Sequence, residues 1–388
     1  MKLLMITFDF SPTVGGIQTR ASNYVKHLVK MKNNVVVVHL LNPRVLKTYF
    51  GEISGTDKVC VENFFGASVY RFPSKVKTLF QVFFKTIKLI KNSRIDAIHI
   101  MSGGNTPAGL LFLVYGKVKG LKTGVSFYGK DILSSRHNLL DILLMRFSMF
   151  IADTIGANSV ATSRLMPKTV QHKITILYPG VDPEVLTRFK RKRRTIVGDK
   201  EKMVLFVGRL VWRKSAHEVL QAFKWVQKKV PKTKLIIVGD GPQRNALFDL
   251  AQKLGIQDKV EFTGTLTGDE LWQKYHECDV FVMPSKSFRW RGRGDIEGFG
   301  MVFLEAGLFK KPSIGTWSGG IPEAVLHGET GLLIPEGDVV ALKDAMMLLL
   351  TNEDLAKRLG ENAYNRVLSQ FTWEKATLRF FSMWNENT

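Results

Sequence analysis

Two glutamates eight residues apart, Glu297 and Glu305, flank a Gly298-Phe299-Gly300-Met301 turn that opens an apolar stretch. Glycines in such a turn let the backbone come close to a ligand. The start of the following helix presents free N–H groups and positive dipole to an anion such as a diphosphate. A carboxylate one turn on is placed to accept hydrogen bonds from two neighbouring hydroxyls, as on a ribose. The carboxylate before the turn could do the same for a sugar. A lone first-turn glutamate is commonly only a solvated residue favoured by the helix dipole; two of them around a glycine turn argue for a site.

Cations that could meet this anion lie upstream in Val207-Gly208-Arg209-Leu210-Val211-Trp212-Arg213-Lys214. Arg209 and Lys214, just past a strand-like run, are expected to bind a diphosphate and stabilise the charge that develops as it leaves. Gly239-Asp240-Gly241-Pro242 follows another such run. Gly239 and Gly241 suit a nucleotide-binding turn, although a Gly-x-Gly alone is usually just a tight turn. Ser318-Gly319-Gly320-Ile321-Pro322-Glu323 opens a further helix, and Gly15-Gly16 is a Gly-Gly loop entering a helix near the start. The eight histidines show no ligand spacing and there is no Asp-x-Asp. No metal is expected, with Arg209, Lys214 and helix N-termini in the role a divalent ion has elsewhere. His99, at a strand end, reads either as a satisfied buried histidine or as a cleft residue.

The elements that must position these groups alternate along the whole chain, which argues for parallel βαβ units. Lys2–Phe8, Asn34–Leu40, Asp96–Ile100 and Gly124–Phe127 read as strands, with turn plus helix over Gly15–Lys30. After the basic run Arg188–Arg194 the pattern restarts with strands at Met203–Val207, Leu235–Val238, Val260–Phe262, Val280–Met283, Pro312–Gly315 and Gly331–Ile334, and a helix over Ser215–Lys229. The fold class is therefore α/β, two doubly wound domains joined near residues 180–200. Ligands of such sheets bind at the carboxyl ends of the strands, so a cleft between the domains is the expected site.

The length of 388 residues fits two domains. Ordinary globular composition excludes a disordered tail, a collagen-like repeat or a disulfide scaffold. Cys60 and Cys278 are not spaced for a metal site or a disulfide framework, which suits a reducing, cytosolic setting. The first residues are too short for a signal-peptide core and no stretch reaches the ~20 apolar residues of a membrane span. The formal charge is +22, and residues 1–180 hold 24 basic against 8 acidic residues, whereas residues 201–388 are nearly balanced. Such a field concentrates an anionic partner: nucleic acid, acidic membrane or phosphorylated substrate. Nucleic acid is disfavoured because no recognition motif is present and aromatics are not interleaved with the basic residues.

Lys75–Asn92 places Val76, Leu79, Phe80, Phe83, Phe84, Ile87 and Ile90 at near-helical spacing among five lysines. A basic amphipathic helix of this kind can lie in a membrane interface, and the same pattern suits a core-facing helix with solvated lysines. Leu110–Tyr115 and Leu139–Phe150 read as core helices. Ser287–Asp295, basic and Gly-rich and immediately before Glu297, reads as a loop over the site of the two glutamates.

Taken in this order, these residues resemble the retaining glycosyltransferases of the two-Rossmann-domain GT-B architecture, family four (glycosyl transferases group 1). The stretch Ser287–Asp295 is similar to the equivalent in mannosyltransferases acting on phosphatidylinositol glycolipids. The resemblance implies that Glu305 binds the nucleotide ribose and Glu297 the transferred sugar. It implies that the amides of Phe299, Gly300 and Met301 approach sugar and diphosphate, and that Arg209 and Lys214 take the phosphates. It divides the chain into an acceptor domain over residues 1–182, a donor domain over 183–370, and a helix over 371–388 returning to the first domain. The implied donor is a nucleotide-diphosphate sugar, GDP-mannose ahead of a UDP-sugar, with no further cofactor. The implied acceptor is lipid-linked or a glycan. The charge of the first domain leads to the expectation that it touches an anionic membrane, with the protein peripheral at the inner face of the cell membrane. Many family members carry a His-Gly pair after a first-domain strand. Here Tyr128-Gly129 stands there, and Tyr cannot carry a proton near neutral pH as His does. With Gly15, Tyr128 is expected on the acceptor side. An epimerase of the same architecture, or a basic binding protein without catalysis, are the alternatives.

Overall fold

The computed structural model describes residues 1–12, 15–41, 60–73, 79–91, 94–102, 104–135, 139–189, 201–290 and 293–384. The chain falls into two compact units, and the first comprises mainly Met1–Pro179 and the C-terminal Trp373–Thr388. Its strands are β1 (Lys2–Thr7), β2 (Asn34–Leu41), β3 (Cys60–Phe64), β4 (Ala67–Pro73), β5 (Ala97–Ile100), β6 (Lys122–Phe127), β7 (Thr154–Ala157) and β8 (Ile174–Ile176). They form one sheet in the order β3-β4-β2-β1-β5-β6-β7-β8. All neighbours run parallel except the β3/β4 pair. Leu3 to Ile6 of β1 are wholly buried, as a central parallel strand covered on both faces requires.

The helices of this unit are α1 (Gly16–Lys30), α2 (Leu79–Lys91), α3 (Pro107–Val118), α4 (Lys130–Ser135), α5 (Leu139–Ile151) and α6 (Val160–Ser163). From β1 the chain steps through α1 to β2 in one direction, and from β4 through β5, β6 and β7 in the other. Right-handed crossovers therefore place α2, α3 and α5 on the face opposite α1. Phe83 of α2 packs on Phe112 and Tyr115 of α3, at ring-centroid distances of 5.2 and 5.8 Å. Met145 and Met149 of α5 join the same core.

The second unit comprises mainly Gly180–Trp290 and Gly294–Thr372. Its strands are β9 (Lys202–Val207), β10 (Thr233–Val238), β11 (Val260–Gly264), β12 (Val280–Val282), β13 (Phe288–Trp290), β14 (Arg293–Asp295), β15 (Ser313–Thr316) and β16 (Gly331–Ile334). Six of them form a parallel sheet in the order β11-β10-β9-β12-β15-β16. Its helices are α7 (Ala216–Lys229), α8 (Arg244–Leu254), α9 (Gly268–Glu277), α10 (Met301–Leu308), α11 (Ile321–Ala324), α12 (Val339–Thr351) and α13 (Glu353–Gln370). The strand order reverses between β9 and β12, which is where doubly wound sheets open a binding crevice. The segments leaving these two strands carry Arg209 to Lys214 and Ser285 to Glu305.

The last helix, α14 (Trp373–Ser382), belongs to the first unit and lies on α1. Tyr24 meets Trp373 and Phe380 at 5.7 and 4.9 Å between ring centroids. His99 is fully buried, bonds Ser126 Oγ through Nε2 at 2.9 Å, and stands edge-on to Phe380.

Several expectations change. Leu139–Phe150 is not simply a core helix: Met145, Ser148 and Met149 face inward, while Leu139, Leu143, Phe147 and Phe150 are exposed. The stretch Ser287–Asp295 contains the short strands β13 and β14 rather than only loop, with Arg291 and Gly292 outside the described residues. In α2, Val82 and Thr86 are buried and Phe80 and Phe84 exposed, so one face does pack on the core. Lys75 to Lys77 and residues 190–194 of the basic run lie outside the described residues. The β3/β4 pair and the short strands β7 and β8 are additions, each too short or too polar to stand out as an apolar run.

Candidate active site

In the second unit, three polar side chains converge on one carboxylate oxygen. Lys214 Nζ donates to Oε2 of Glu297, Arg213 Nη1 donates to it at 3.0 Å, and Ser285 Oγ at 3.3 Å. Arg213 Nε also stands 3.2 Å from Oδ2 of Asp295. The Lys214 and Glu297 side chains are each 13 % exposed, so neither charge is tolerable without its partner. Burial alone pushes the Glu297 carboxyl up, but Lys214 and Arg213 outweigh it and hold the pKa down at about 2. Burial likewise lowers Lys214, against the pull of Glu297.

Local chain geometry explains why these groups meet. Trp212–Lys214 form a single 3-10 turn after β9. Ser215 then adopts φ 56°, an L residue in the left-handed region, the kind of strain kept where a site needs it. Lys286 N donates to Arg213 O at 2.8 Å and so ties the exit of β12 to this turn. From the far side, Gly320 N donates to Glu297 O at 2.9 Å. A Cβ on Gly319 would lie 2.3 Å from Glu297 O, and one on Gly320 2.3 Å from Gly298 O. Only a Gly-Gly pair lets this backbone lie against the Glu297 turn.

Glu305 lies on the second turn of α10, behind the Gly300 cap with its φ of 90°. It is not a solvated first-turn residue: Tyr275, fully buried on α9, donates its hydroxyl to Oε2 of Glu305 at 2.7 Å. Burial raises the Glu305 pKa, and the Tyr275 bond acts against the rise. Phe299 is buried against Phe371, with 5.5 Å between ring centroids, which anchors the turn between the two glutamates. Met301 is the first residue of α10.

Gly239 and Gly241 serve the adjoining turn. A Cβ at Gly239 would sit 1.9 Å from Gly208 O, and one at Gly241 would sit 2.5 Å from Leu210 O. Leu210 N donates to Asp240 O at 2.9 Å, closing the two turns on each other. Arg209 is exposed at the end of this layer, and Arg213 rather than Arg209 joins Lys214 at Glu297.

The first-unit candidates form a separate group. Gly15 precedes α1, and a Cβ there would meet Gln18 Oε1 at 2.4 Å; around Gly16 nothing lies within 4 Å. Gln18 Nε2 donates to Asp9 Oδ1 at 2.7 Å. Tyr128 is buried, its hydroxyl donating to Met101 Sδ at 2.7 Å and the Arg20 guanidinium lying 5.3 Å from its ring centre. Burial raises its pKa further, so Tyr128 stays protonated. Asp131 accepts from the Tyr128 amide at 2.9 Å, and burial lifts its pKa to about 6.

Four residues at the site were given no role of their own in the sequence: Arg213, Tyr275, Ser285 and Asp295. Arg213 and Lys214 are adjacent, and a tight turn after a strand could have flagged both. Tyr275 carries no local signal, because its partner lies 30 residues away. Among the described residues no group of His, Cys, Asp and Glu is placed to hold a metal, and no helix is long and apolar enough to cross a membrane.

Two family sequence models match the chain: Glycosyltransferase Family 4 over residues 14–185 and Glycosyl transferases group 1 over residues 187–366. The chain is 30% identical over 382 residues to the GDP-mannose-dependent alpha-(1-6)-phosphatidylinositol monomannoside mannosyltransferase of Mycobacterium tuberculosis, covering 96% of this chain and 95% of that one. It is 27% identical to the N-acetyl-alpha-D-glucosaminyl L-malate synthase of Bacillus anthracis, covering 97% and 95%. Among solved structures, sucrose-phosphate synthase from Thermosynechococcus elongatus superposes with a TM-score of 0.76 at 19% identity, over 100% of this chain and 99% of that one. Anabaena HepE in complex with UDP and glucose gives 0.72 at 18%, with both chains fully covered.

Proposed function

The chain belongs to the family-four glycosyltransferases, with the two-domain α/β fold of the GT-B architecture, and from that premise we propose that it is a retaining, metal-independent hexosyltransferase. As a member of that family it transfers a glycosyl group, and its donor is a nucleotide sugar. GDP-mannose is the donor put first and a UDP-sugar second. The acceptor is a lipid-linked or glycan hydroxyl at a membrane surface.

The observation that carries this reading is Glu297, held between Lys214 and Arg213 beside the Gly298–Gly300 turn, with Glu305 one helical turn further on. In the proposed roles Glu305 accepts from the ribose hydroxyls and Glu297 from a sugar hydroxyl. The amides of Phe299, Gly300 and Met301 approach the sugar and the diphosphate. Arg209, Lys214 and Arg213 supply positive charge to the phosphates. As the bond from the anomeric carbon to phosphate oxygen breaks, these cations stabilise the leaving diphosphate. The acceptor oxygen bonds to the same face of that carbon and gives its proton to the leaving phosphate. No side chain need act as base, which suits a buried, protonated Tyr128.

The basic first domain holds the acceptor and touches acidic lipid, each Lys or Arg near an anionic surface contributing about 1 kcal/mol. On this reading the protein works peripherally at the inner face of the cell membrane. The test is thermal unfolding with GDP, UDP and ADP added separately. Ligand at 100 times its Kd stabilises by about 2.7 kcal/mol, or a few degrees in Tm. A shift with GDP alone supports the mannosyl donor; a shift with UDP alone moves the reading to glucose, galactose or their N-acetyl forms. No shift with any of the three overturns it.

A further inference from the structure

Helix α5 is apolar on both faces. Its inner face, Met145, Ser148 and Met149, is spent on the core. Its outer face carries Leu139, Leu140, Leu143, Phe147 and Phe150, and Leu139 and Phe150 are 71% and 70% exposed. At 1.5 Å per residue this row is about 17 Å long. A helix apolar all round normally has both faces covered, and among the described residues only the inner face is covered. Helix α3, which packs against α5, carries exposed Val114 and Val118 as well. Scattered single apolar residues on a surface need no explanation, but a contiguous row on adjoining helices marks an interaction site.

The charges around the patch choose its occupant. Neither α2 nor α3 contains an acidic residue. Lys85, Lys88, Lys91 and Arg146 lie on α2 and α5, whose one acid is Asp141. Lys117 of α3 is paired with Asp153. A second copy of this chain seated face to face would set these cations against themselves. An anionic bilayer complements them, and its interior accepts the apolar row to a depth of about 5–10 Å.

We infer that the outer face of α5, with Val114 and Val118 of α3, is the surface that inserts into an anionic lipid bilayer, the surrounding lysines and Arg146 contacting headgroups. The inference rests on the reading of the protein as acting at a membrane, and it adds an apolar component to the charge attraction. Pure charge attraction vanishes with salt; an inserted row does not.

The experiment is co-sedimentation with vesicles of equal parts phosphatidylglycerol and phosphatidylcholine, at low salt and at about 1 M NaCl, where the Debye length is about 3 Å. The protein should bind at low salt and keep a measurable fraction at high salt. The triple variant Leu143→Ser/Phe147→Ser/Phe150→Ser should lose that salt-resistant fraction and bind at least tenfold more weakly at low salt. Phe147→Ser alone should give a partial loss and serves if the triple variant fails to fold. Trp225→Ser, an exposed tryptophan of the second unit, should bind as wild type. Binding abolished by salt in the wild type, wild-type binding by the triple variant, or a wild-type dimer that the triple variant dissociates would each overturn the inference. The nucleotide-induced Tm shift needs no vesicle, so it survives failure here and fails separately if the transferase reading is wrong.

Discussion

The hydroxyl of Tyr275 donates to Oε2 of Glu305 at 2.7 Å, from a side chain with no exposed surface. This bond fixes one carboxylate oxygen and leaves the other for a ligand. Burial raises the Glu305 pKa, and the phenol limits the rise. Tyr275→Phe should therefore weaken nucleoside-diphosphate binding by several-fold with a smaller change in kcat. Glu305→Ala should weaken it by about tenfold or more, the range for a hydrogen bond to a charged group. Titration calorimetry with the nucleotide that shifts Tm decides; wild-type affinity in both variants would remove Glu305 from the donor site.

Lys214 and Glu297 form a buried ion pair whose two members can be tested separately. Lys214→Ala should lower kcat by about 10²-fold, the scale for removing one charge-stabilising donor, with KM changed far less. The same substitution removes the largest attraction holding the Glu297 pKa at about 2. In the wild type that depressed pKa contributes stability above pH 4.5, lost as pH falls towards 2. Glu297→Gln should flatten this part of the acid-unfolding curve. Unchanged acid unfolding in Glu297→Gln would show that the ion pair does not persist in solution.

Gly319 and Gly328 both adopt positive φ, 52° and 75°, but only one faces backbone. An alanine at Gly328 meets nothing within 4 Å, whereas at Gly319 its Cβ would lie 2.3 Å from Glu297 O. Gly328→Ala should cost about 1–2 kcal/mol of left-handed strain and leave kcat intact. Gly319→Ala must also displace Glu297, and a misplacement of about 1 Å can cost about 10²-fold in rate. Steady-state kinetics on folded protein separate the two; equal kcat values would mean that Gly319 does not position Glu297.

How far the sequence carried the reading depends on the range of each signal. Buried parallel strands such as Lys2–Thr7 are local apolar runs, and their βαβ spacing made the two-sheet fold legible. The spaced glutamates were legible for the same reason, since turn, glycines and helix start lie within nine residues. What closes around them was not. Ser285, Arg213 and Tyr275 reach their carboxylates only after β9, β12 and α9 have packed, and no periodicity encodes that. The outer face of α5 misled in the opposite way: apolar residues on every side read as core, because a sequence does not say which of two apolar faces the fold will cover.

Two histidines of the first unit with no exposed surface, His39 and His99, supply a proton count that tests its core. Burial lowers both His39 and His99 to about 3, with Arg71 adding to the effect at His39. In the unfolded chain each returns towards 6.5, so at pH 5 the unfolded state holds about one more proton at each site. Stability therefore rises with pH across this window: the contribution is complete above about pH 6.5 and is lost as pH falls towards 3. His99→Gln, which can keep a hydrogen bond to Ser126, should reduce proton uptake on unfolding at pH 5 by about one, read by pH-stat during urea unfolding. It should also flatten the fall in stability between pH 6.5 and pH 4 by up to about 1.4 kcal/mol per pH unit. An uptake equal to wild type would mean that His99 titrates normally in the folded protein and that water reaches the contact between Phe380 and β5.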